Sequence, residues 1–582
     1  MKKITTLFLV ASLVALLNQG HAAEALPESD EAYQKRMQWF TDAQFGLFIH
    51  YGVYSTLGGE WKGKPVPKYA EWIQRWGKIS PEEYIPLAAN FRPDKLDADL
   101  WVKTAKKAGM KYMVITSKHH EGFCLWDSAY TEYDLGEATE FDRDILAELA
   151  AACKKYGLRF GTYYSIIDWH NPSQRAPLAT NQPPMNDKEG YVTYMKAQLK
   201  ELIERYHPAI MWFDGDWATW WTMEDGLDLY SFLRTLDPDL IINNRVAKRK
   251  VFKKDFGTPE NSTPGDALDH IWEACWTVNH SWGFKKSDTK WKSIEVLVQK
   301  QIDINTKGGN LLLNVGPHAD GSWPESSTAL LQEMGAWNVA YSDAVYGAEY
   351  ADVPQQSWGK MARAKGSSED VGELFAYVFD WPENGKLVIK GLSVVQAEAF
   401  TYEKTPLPVT ITKDGLVIDL SSASAHPHAT VLRLKYTGGR KVIESSSALS
   451  LTGDELILQA RDAWLSGKKN KLHDNSYVGY WTDASDTAQW TLNVPAPGKY
   501  AVKVVYSCAK SHSGSDVQLT VAGKTLTAKV GPTASWEQFE QMDFGVVNLN
   551  QVGETTCTIG FGEHKGRDLF NLKTIIFVPV AD

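Results

Sequence analysis

Short runs of hydrophobic residues alternate with amphipathic segments from about residue 40 to residue 345, and each run turns polar at its carboxyl end. Continuous hydrophobic runs of this length are typical of strands that are buried on both faces, as in a parallel sheet. The polar turns place candidate functional side chains at the strand ends. The runs are QFGLFIHYG (44–52), KYMVITSKHH (111–120), LRFGTYYSIIDWH (158–170), PAIMWFDG (208–215), DLIINNR (239–245) and GGNLLLNVGP (308–317).

The segments between these runs predict helices. RDILAELAAACKKYG (143–157) places Ile145, Leu149 and Cys153 on one stripe and stops at Gly157, which suits a helix C-terminus. The same kind of spacing recurs in 97–109, 189–206 and 292–307. Strand–helix alternation over roughly 300 residues predicts an α/β fold, a (β/α)8-type barrel of the TIM kind, rather than an open doubly wound sheet. No glycine-rich nucleotide motif follows a run, which disfavours nucleotide binding.

The pattern changes near residue 351, where short strands with alternating polarity begin. ELFAYVFDWPENGKLVIKGL (373–392) alternates around a Pro-Glu-Asn-Gly turn and predicts an antiparallel β-sandwich. After a linker, SSSALSLTGD (445–454), strand-like stretches resume at 489–508. The predicted domains are a catalytic (β/α)8-like barrel over 24–350, an antiparallel β-sandwich over 351–440 and a second all-β sandwich over 441–582.

The N-terminal stretch MKKITTLFLVASLVALLNQGHAAEA predicts a secretory signal peptide over residues 1–23. Two lysines precede an apolar run from Leu7 to Leu17, and small residues follow at Ala22 and Ala23. The apolar run is too short to span a bilayer. The sequence therefore predicts an exported protein, periplasmic or extracellular.

Export permits disulfides, but the chain has only five cysteines. Cys508 and Cys557 both lie in strand-like stretches of the last domain and are candidates for a pair. Cys124, Cys153 and Cys275 show no CxxC spacing, so no zinc or redox site is expected.

Composition narrows the function classes. The formal net charge of −10 disfavours nucleic-acid binding, which needs a basic surface. The 23 Trp, 25 Tyr and 21 Phe fit two interpretations equally. They fill large cores, or they offer flat apolar faces to sugar rings, which expose C–H patches between their hydroxyls.

Polar side chains end several of the predicted strands. In a (β/α)8 barrel the active site lies at the carboxyl ends of the strands, so these side chains are expected to share one pocket. In strand order, they are His50, then His119, His120 and Glu121, then Tyr163, Tyr164 and Asp168, then Asp214, and finally Asn243, Asn244 and Arg245.

Two chemistries compete for such a pocket. Metal-dependent hydrolysis is disfavoured because adjacent strand residues face opposite ways, so His119 and His120 cannot both bind one ion easily. No HExxH motif is present either, and we expect neither a metal nor a cofactor. Glycoside hydrolysis needs two carboxylates and aromatic walls. Asp214, fixed at a strand end, suits the nucleophile, and its partner acid must come from elsewhere on the rim.

Nine motifs occur in order between Trp39 and Gly347, and together they resemble the family-29 glycoside hydrolases, the α-L-fucosidases. The motifs are WFTDAQFGLFIHYGVYS, KYAEW, ITSKHHEGFCLWDS, YYSIIDWH, WFDG, INNR, DFGTPEN, SWGF and GGNLLLNVGP.

The resemblance implies an exo-acting, retaining α-L-fucosidase whose catalytic nucleophile is the aspartate of WFDG, Asp214. It also implies a set of residues that hold fucose hydroxyls and wall the pocket. These residues are His50, Glu71, Trp72, His119, His120, Tyr164, Arg245 and Trp282.

The acid/base is less firmly indicated. Glu260 of DFGTPEN follows Arg245 in the family order and is the first choice, although Asn261 stands where the family often has an aromatic residue. Glu273 is the runner-up, with a buried structural role as its competing interpretation. Asp216 rivals Asp214 but lies beyond the predicted strand end, where it would bind substrate or cap the next segment.

The expected partner is a fucosylated oligo- or polysaccharide, with sulfated glycans as one candidate. The basic segment AKRKVFKKD (247–255) is interpreted either as a solvated loop or as a contact for an anionic glycan. The last domain resembles carbohydrate-binding modules, with Trp536 and Asn571 as candidate sugar contacts, and a purely structural sandwich is the competing interpretation. Two alternative functions remain: hydrolysis of a related sugar such as an α-L-galactoside, and glycan binding without catalysis.

Overall fold

The computed structural model of the chain describes residues 28–261, 263–264, 267–354, 356, 358–413, 415–442, 455–467, 470–473, 476–494, 497–550, 553–563 and 568–580. The predicted signal peptide and linker therefore lie outside the described residues. The chain divides into two compact units. The first comprises Met1–Thr258, Thr277–Trp291 and Leu312–Ala329, and the second comprises Pro259–Trp276, Lys292–Leu311 and Leu330–Asp582.

A parallel sheet forms the core of the first unit. The strands up to residue 315 are β1 (Phe45–Ile49), β2 (Glu60–Trp61), β3 (Lys64–Pro65), β4 (Tyr112–Lys118), β5 (Arg159–Ser165), β6 (Ile210–Asp214), β7 (Ile241–Ile242), β8 (Glu273–Thr277) and β9 (Asn310–Val315). Strands β7, β6, β5, β4 and β1 lie side by side in that order, followed by the first-unit residues of β9, and β2 pairs with β3 as a hairpin.

Register shows that β1, β4, β5, β6 and β7 run parallel to one another. Val114 of β4 lies opposite Phe48 of β1 and Gly161 of β5, and Gly161 in turn lies opposite Ile210 of β6. Ile210 lies opposite Ile241 of β7. These strands are buried almost throughout, as their hydrophobic runs predicted. The predicted α/β class with a parallel sheet is confirmed.

The helices that the sequence predicted are present. Asp97 and Asp144 cap two of them at the N-terminus, and Gly109 and Gly157 end the same two in the left-handed conformation. The helices are α1 (Asp30–Ala43), α2 (Tyr54–Leu57), α3 (Ile73–Trp76), α4 (Pro81–Tyr84), α5 (Ala98–Ala108), α6 (Ile145–Tyr156), α7 (Lys188–Tyr206), α8 (Met223–Leu236), α9 (Ile294–Asn305), α10 (Glu325–Ala340) and α11 (Ser342–Tyr346). No helix within the described ranges is long and apolar enough to cross a membrane.

Antiparallel sheets fill the C-terminal region of the second unit. The first group has the strand orders β10-β11-β12-β18-β14-β15 and β13-β17-β16. Its strands are β10 (Ala348–Glu349), β11 (Gly359–Ala364), β12 (Val371–Val378), β13 (Lys386–Lys390), β14 (Leu392–Thr401), β15 (Pro406–Leu407), β16 (Val409–Thr412), β17 (Gly415–Asp419) and β18 (Thr430–Val442).

A second group of strands follows. They are β19 (Leu456–Gln459), β20 (Trp464–Ser466), β21 (Lys471–His473), β22 (Tyr477–Gly479), β23 (Thr487–Val494), β24 (Gly498–Ser507), β25 (Asp516–Val521), β26 (Lys524–Lys529), β27 (Glu540–Leu549), β28 (Gly553–Phe561) and β29 (Asn571–Val580). Their orders are β21-β22-β29-β24-β27 and β20-β23-β28-β25-β26. Each group has its own apolar core, which confirms the β-rich C-terminal region. The domain boundaries at 350 and 440 stay predictions.

The candidate disulfide is wrong. Cys508 and Cys557 are both buried with free thiols. Cys557 lies in β28, opposite Trp490, whereas Cys508 follows β24 in the other sheet of the group. Both act as small apolar side chains, and burial raises the pKa of the Cys508 thiol to about 11.

Candidate active site

Asp214 ends β6, and its side chain is 13% exposed. Its backbone is fixed because the Asn243 side chain accepts a hydrogen bond from Phe213 N at 2.8 Å and donates one to Phe213 O at 2.9 Å. The chain then turns at Gly215, which has φ +98°, and a Cβ there would lie 3.0 Å from Ile167 N. The strand end therefore holds the carboxylate at one position.

Two guanidinium groups surround the Asp214 carboxylate. Arg245 Nη1 donates to Oδ1 at 2.7 Å and Arg249 Nη2 donates to the same atom at 3.1 Å. Tyr163 Oη donates to Oδ2 at 3.4 Å, and His120 Nε2 lies 3.6 Å from Oδ2. Burial alone would raise the pKa of Asp214, but the positive charges of Arg245 and Arg249 outweigh it and hold the pKa below its ordinary value. The carboxylate is thus ionised at neutral pH.

Arg245, which the sequence singled out, is almost fully buried. Its Nε donates to Thr258 Oγ1 at 2.8 Å, and its guanidinium lies 4.6 Å from the centre of the Trp212 ring. These contacts orient the Arg245 guanidinium toward the Asp214 carboxylate.

Arg249 belongs to the basic segment 247–255 and was not predicted as a site residue. Its Nε donates to both carboxylate oxygens of Asp216, at 2.8 and 2.9 Å. Asp216 is buried and thus holds Arg249 against Asp214. Lys248 of the same segment also turns inward and donates to Ala218 O at 3.0 Å. Neither interpretation of the segment, as a solvated loop or as a contact for an anionic glycan, included these inward contacts.

Three neutral histidines lie beside this carboxylate. His50 Nδ1 lies 2.7 Å from Asn314 Oδ1, and His120 Nδ1 lies 2.5 Å from Ser165 Oγ. Burial lowers the pKa of His50 to about 3 and that of His120 to about 4, and it lowers the pKa of His119 well below its ordinary value. Each ring therefore offers one donor and one acceptor at neutral pH.

Two of these rings keep a buried nitrogen available. Within the part of the chain that the structure describes, His119 Nδ1 and His120 Nε2 have no hydrogen-bond partner. A buried polar atom of this kind is costly unless a ligand or water satisfies it.

The expectation that His119 and His120 face opposite ways is wrong. β4 ends at Lys118, so strand alternation does not continue to the two histidines. Their ring centres lie 4.3 Å apart, and the His119 ring is also 5.7 Å from that of His50.

Tyr164, which was predicted to hold the sugar, lies on the other face of the sheet from Asp214. It lies opposite Phe213 in the β5–β6 register, whereas Tyr163 lies opposite Trp212 and so shares the face of Asp214. Tyr164 is fully buried, and its hydroxyl donates to Gln198 of α7 at 2.7 Å. Tyr163, which was not among the chosen residues, stacks on His119 and contacts Asp214 instead.

Aromatic rings border the histidines. Trp72 packs edge-on against His120 at 4.9 Å between ring centres and stacks with Trp217 at 6.3 Å. Trp282 lies 5.1 Å from the His50 ring. Trp217 was not predicted as a site residue, although it stands three residues after Asp214.

Glu71 is buried and anchors the loop that carries Trp282. Its Oε2 accepts a hydrogen bond from Gly283 N at 3.0 Å and one from Ser281 Oγ at 3.4 Å. The geometry therefore gives Glu71 a positioning role toward Trp282, in addition to the sugar contact that the resemblance implies.

Comparison with known proteins bears on this arrangement. The family model described as Alpha-L-fucosidase matches residues 13–343. The plasma α-L-fucosidase of Rattus norvegicus is 30% identical over 428 residues, which cover 67% of this chain and 88% of the relative. The chain belongs to the α-L-fucosidase family of glycoside hydrolases.

Solved structures of other α-L-fucosidases extend the comparison. A family-29 α-L-fucosidase from Bacteroides thetaiotaomicron, a trapped covalent intermediate in complex with 2-fluoro-fucosyl fluoride, is 30% identical with a TM-score of 0.62, covering 70% of this chain and 96% of that one. The α-L-fucosidase of Vibrio sp. strain EJY3 is 24% identical with a TM-score of 0.73, covering 94% of this chain and 98% of that one. The second likeness concerns the fold alone and includes the β-rich C-terminal region.

The two acid/base candidates of this α-L-fucosidase family member lie in the second unit. Glu260 is exposed, and its backbone forms an isolated β-bridge with Cys275 of β8. In this bridge Asn261 N donates to Cys275 O at 2.9 Å. Glu273 is fully buried at the first residue of β8. Full burial at the start of a strand suits a structural role for Glu273. Glu260 therefore stays the first choice for the acid/base, as a prediction.

Proposed function

We propose that the chain is an exo-acting, retaining α-L-fucosidase that removes terminal α-L-fucose from glycans by double displacement. The observation that carries the proposal is the ionised Asp214 carboxylate, held by Arg245 and Arg249 beside three neutral histidines. A nucleophile of this kind must stay charged next to a sugar that is becoming an oxocarbenium ion.

In the proposed reaction, Asp214 attacks the anomeric carbon while protonated Glu260 donates its proton to the leaving oxygen. Glu260, now a base, then activates the water that releases fucose. Retention requires the two carboxyl groups to lie about 5–5.5 Å apart. The trapped covalent intermediate of the Bacteroides relative supports this mechanism by family membership.

The fucose hydroxyls would bind to the neutral imidazoles of His50, His119 and His120. The unpartnered nitrogens of His119 and His120 suit this role because each is buried without a hydrogen bond until a sugar hydroxyl supplies one. Trp72 and Trp282 would wall the sugar, and Tyr163 would take the role that the resemblance implied for Tyr164.

The remaining expectations belong to the same proposal. The parallel sheet would close into a (β/α)8-type barrel, with the site at its carboxyl end. The protein would be exported after removal of residues 1–23 and would act on fucosylated oligo- or polysaccharides. The last β-rich region would be a carbohydrate-binding module.

The test is a panel of aryl glycosides with product analysis by NMR. We expect release of α-L-fucose as the first-formed anomer from the aryl α-L-fucoside, and slower turnover of the α-L-galactoside because of its extra hydroxyl. Equal or preferred turnover of the galactoside would assign the related sugar. Binding of fucose without turnover of either substrate would leave an inactive glycan-binding protein, and the β-anomer as first product would exclude double displacement.

A further inference from the structure

The second unit contains a cavity of about 670 Å³, built from its two groups of β-strands and the end of α9. This volume lies in the range of small-ligand sites. The residues that matter here are three lysines and two exposed aromatic residues on the cavity lining: Lys307, Lys360, Lys471, Trp464 and Tyr480.

Lys471, in β21, is the main feature of the lining. The residue is only 8% exposed, yet its ammonium group has no hydrogen bond or ion pair with any residue that the structure describes. Its Nζ instead lies 4.0 Å from the centre of the Tyr480 ring. An ammonium buried without a counter-ion is costly, and this cost falls when an anion binds.

The other two lysines share a single carboxylate. Lys307 and Lys360 lie 2.8 and 3.0 Å from the same oxygen of Asp303. Asp352 is the acidic residue on the lining, and Lys300 adds a further positive charge close to Asp303. The lysines around the cavity therefore outnumber its aspartates among the described residues, in a chain whose net charge is −10.

Aromatic faces lie beside these charges. Trp464 and Tyr480 are 55% and 49% exposed, and the Tyr480 ring is stacked on His473 at 5.0 Å between centres. Exposed aromatic rings at a cavity suit the apolar faces of sugar rings. A cavity of ammonium groups with aromatic walls thus combines the two contacts that an acidic sugar requires.

We propose that this cavity of the second unit is a separate binding site for an anionic saccharide, whose sulfate or carboxylate groups pair with Lys471, Lys360 and Lys307 while its rings stack on Trp464 and Tyr480. The site does not depend on the proposed fucosidase reaction, since none of its residues takes part in that chemistry. It would hold the enzyme on an acidic polysaccharide while Asp214 and Glu260 act on fucose.

Burial lowers the pKa of Lys471 to about 8, with the charges of Lys300 and Lys307 acting in the same direction and Asp303 opposing them. A bound anion favours the charged form. The affinity should therefore fall as the pH rises from 7 to 9, as Lys471 loses its proton.

The test uses the full-length protein and sulfated galactan oligosaccharides, which carry no fucose and so are not substrates of the proposed reaction. Isothermal titration calorimetry at low salt compares them with the same oligosaccharides after desulfation and with alginate oligosaccharides, which carry carboxylates. We expect the sulfated or the carboxylated series to bind at least about tenfold more tightly than the desulfated one. Which series binds identifies the anionic group.

Variants locate the site. Lys471→Met should weaken binding about tenfold or more, and Trp464→Ala several-fold, whereas Lys524→Met, at an exposed lysine of β26, serves as the matched control and should bind as the parent does. Lys360→Met replaces Lys471→Met if the latter lowers the melting temperature. Equal binding of the desulfated oligosaccharides, no binding of any series, or unchanged affinity in the folded lysine and tryptophan variants would overturn the proposal.

Discussion

Asp214 lies between Arg245 at 2.7 Å and Arg249 at 3.1 Å, and these two charges decide its protonation state. Burial favours the neutral carboxyl group, but the pKa is nevertheless lowered. Arg249 is the more accessible of the two, with a side chain that is 26% exposed. It is therefore the arginine whose removal tests the electrostatic argument with the smaller risk to folding.

Replacing Arg249 by Met should raise the pKa of Asp214, because one of its two guanidinium partners is lost. A nucleophile must be ionised, so activity falls as the pH drops through this pKa. The acidic limb of kcat/KM against pH, measured with an aryl α-L-fucoside, should move up by about one pH unit. Arg92→Met, at an exposed arginine, is the control and should keep the parental profile. An unmoved acidic limb in Arg249→Met would contradict the role given to this arginine.

The two neighbouring tyrosines should respond differently. Tyr163→Phe removes the hydroxyl next to Asp214 Oδ2, so we expect a loss of about tenfold or more in kcat/KM with little change in melting temperature. Tyr164→Phe removes a buried hydrogen bond to Gln198, so we expect a loss of stability of about 1 kcal/mol. Kinetics and thermal unfolding of both variants decide this, and the reverse pattern would restore Tyr164 to the site.

Sequence patterns located most of the site residues but not their orientations. Asp214, Arg245 and His50 follow hydrophobic runs, and such a polar end can be recognised in the sequence. Whether Tyr163 or Tyr164 shares the face of Asp214 depends on the β5–β6 register, which no local pattern contains. Arg249 was not predicted as a site residue for another reason. The sequence of a basic segment does not show which of its side chains turns inward.

At the scale of elements, a buried ion pair joins the end of β4 to the loop after β5. Lys118 Nζ lies 2.9 Å from Asp168 Oδ2, and both side chains are fully buried. The pair raises the pKa of Lys118 and lowers that of Asp168, although burial acts the other way on each. Asp168 Oδ1 also accepts hydrogen bonds from the backbone of the loop, at His170 N and Asn171 N. The pair therefore fixes the loop next to the histidines.

Lys118→Met should lower the free energy of unfolding by about 3–5 kcal/mol, because it leaves Asp168 charged and buried without its partner. The double variant Lys118→Met with Asp168→Asn should lose less, since Asn keeps an acceptor for the backbone donors. Urea unfolding followed by tryptophan fluorescence measures both. A loss below about 1 kcal/mol in the single variant would mean that the pair does not hold the loop.

The segment before β8 carries the predicted acid/base. Glu260→Ala should slow substrates with poor leaving groups most, because they need the proton, and azide should restore turnover as an external nucleophile. Glu273→Ala should instead lower stability, as Glu273 is fully buried. Kinetics with activated and unactivated fucosides, with and without azide, compare the two variants. Azide rescue of Glu273→Ala but not of Glu260→Ala would move the assignment.

Elements were predicted best where periodicity is long and the ends are marked. Helices α5 and α6 end at Gly109 and Gly157, as their sequences indicated. Strand β7 is only Ile241–Ile242, shorter than the run at 239–245, because the chain leaves the sheet where the Asn243 side chain bonds to Phe213. A side chain that replaces ladder hydrogen bonds in this way leaves no periodic signal.

At the scale of the whole molecule, the sequence foresaw the α/β region and the β-rich region but not the two compact units. Residues 259–276 and 292–311 belong with the C-terminal strands, although their sequence continues the strand–helix alternation of the first unit. Periodicity is local, whereas membership of a compact unit depends on contacts far apart along the chain. The lysine-lined cavity was unforeseen for the same reason, as Lys307, Lys360 and Lys471 are separated by up to 164 positions.

In the proposed reaction, Asp214 forms the covalent bond to fucose. Incubation with 2-fluoro-fucosyl fluoride, followed by proteolysis and tandem mass spectrometry, tests it most directly, because the fluorinated sugar slows release of the intermediate. We expect one added 2-fluoro-fucosyl group on the peptide that contains MWFDGDW, with fragment ions that place it on Asp214. A label on Asp216 or on another peptide, or turnover with inversion and no label, would contradict it.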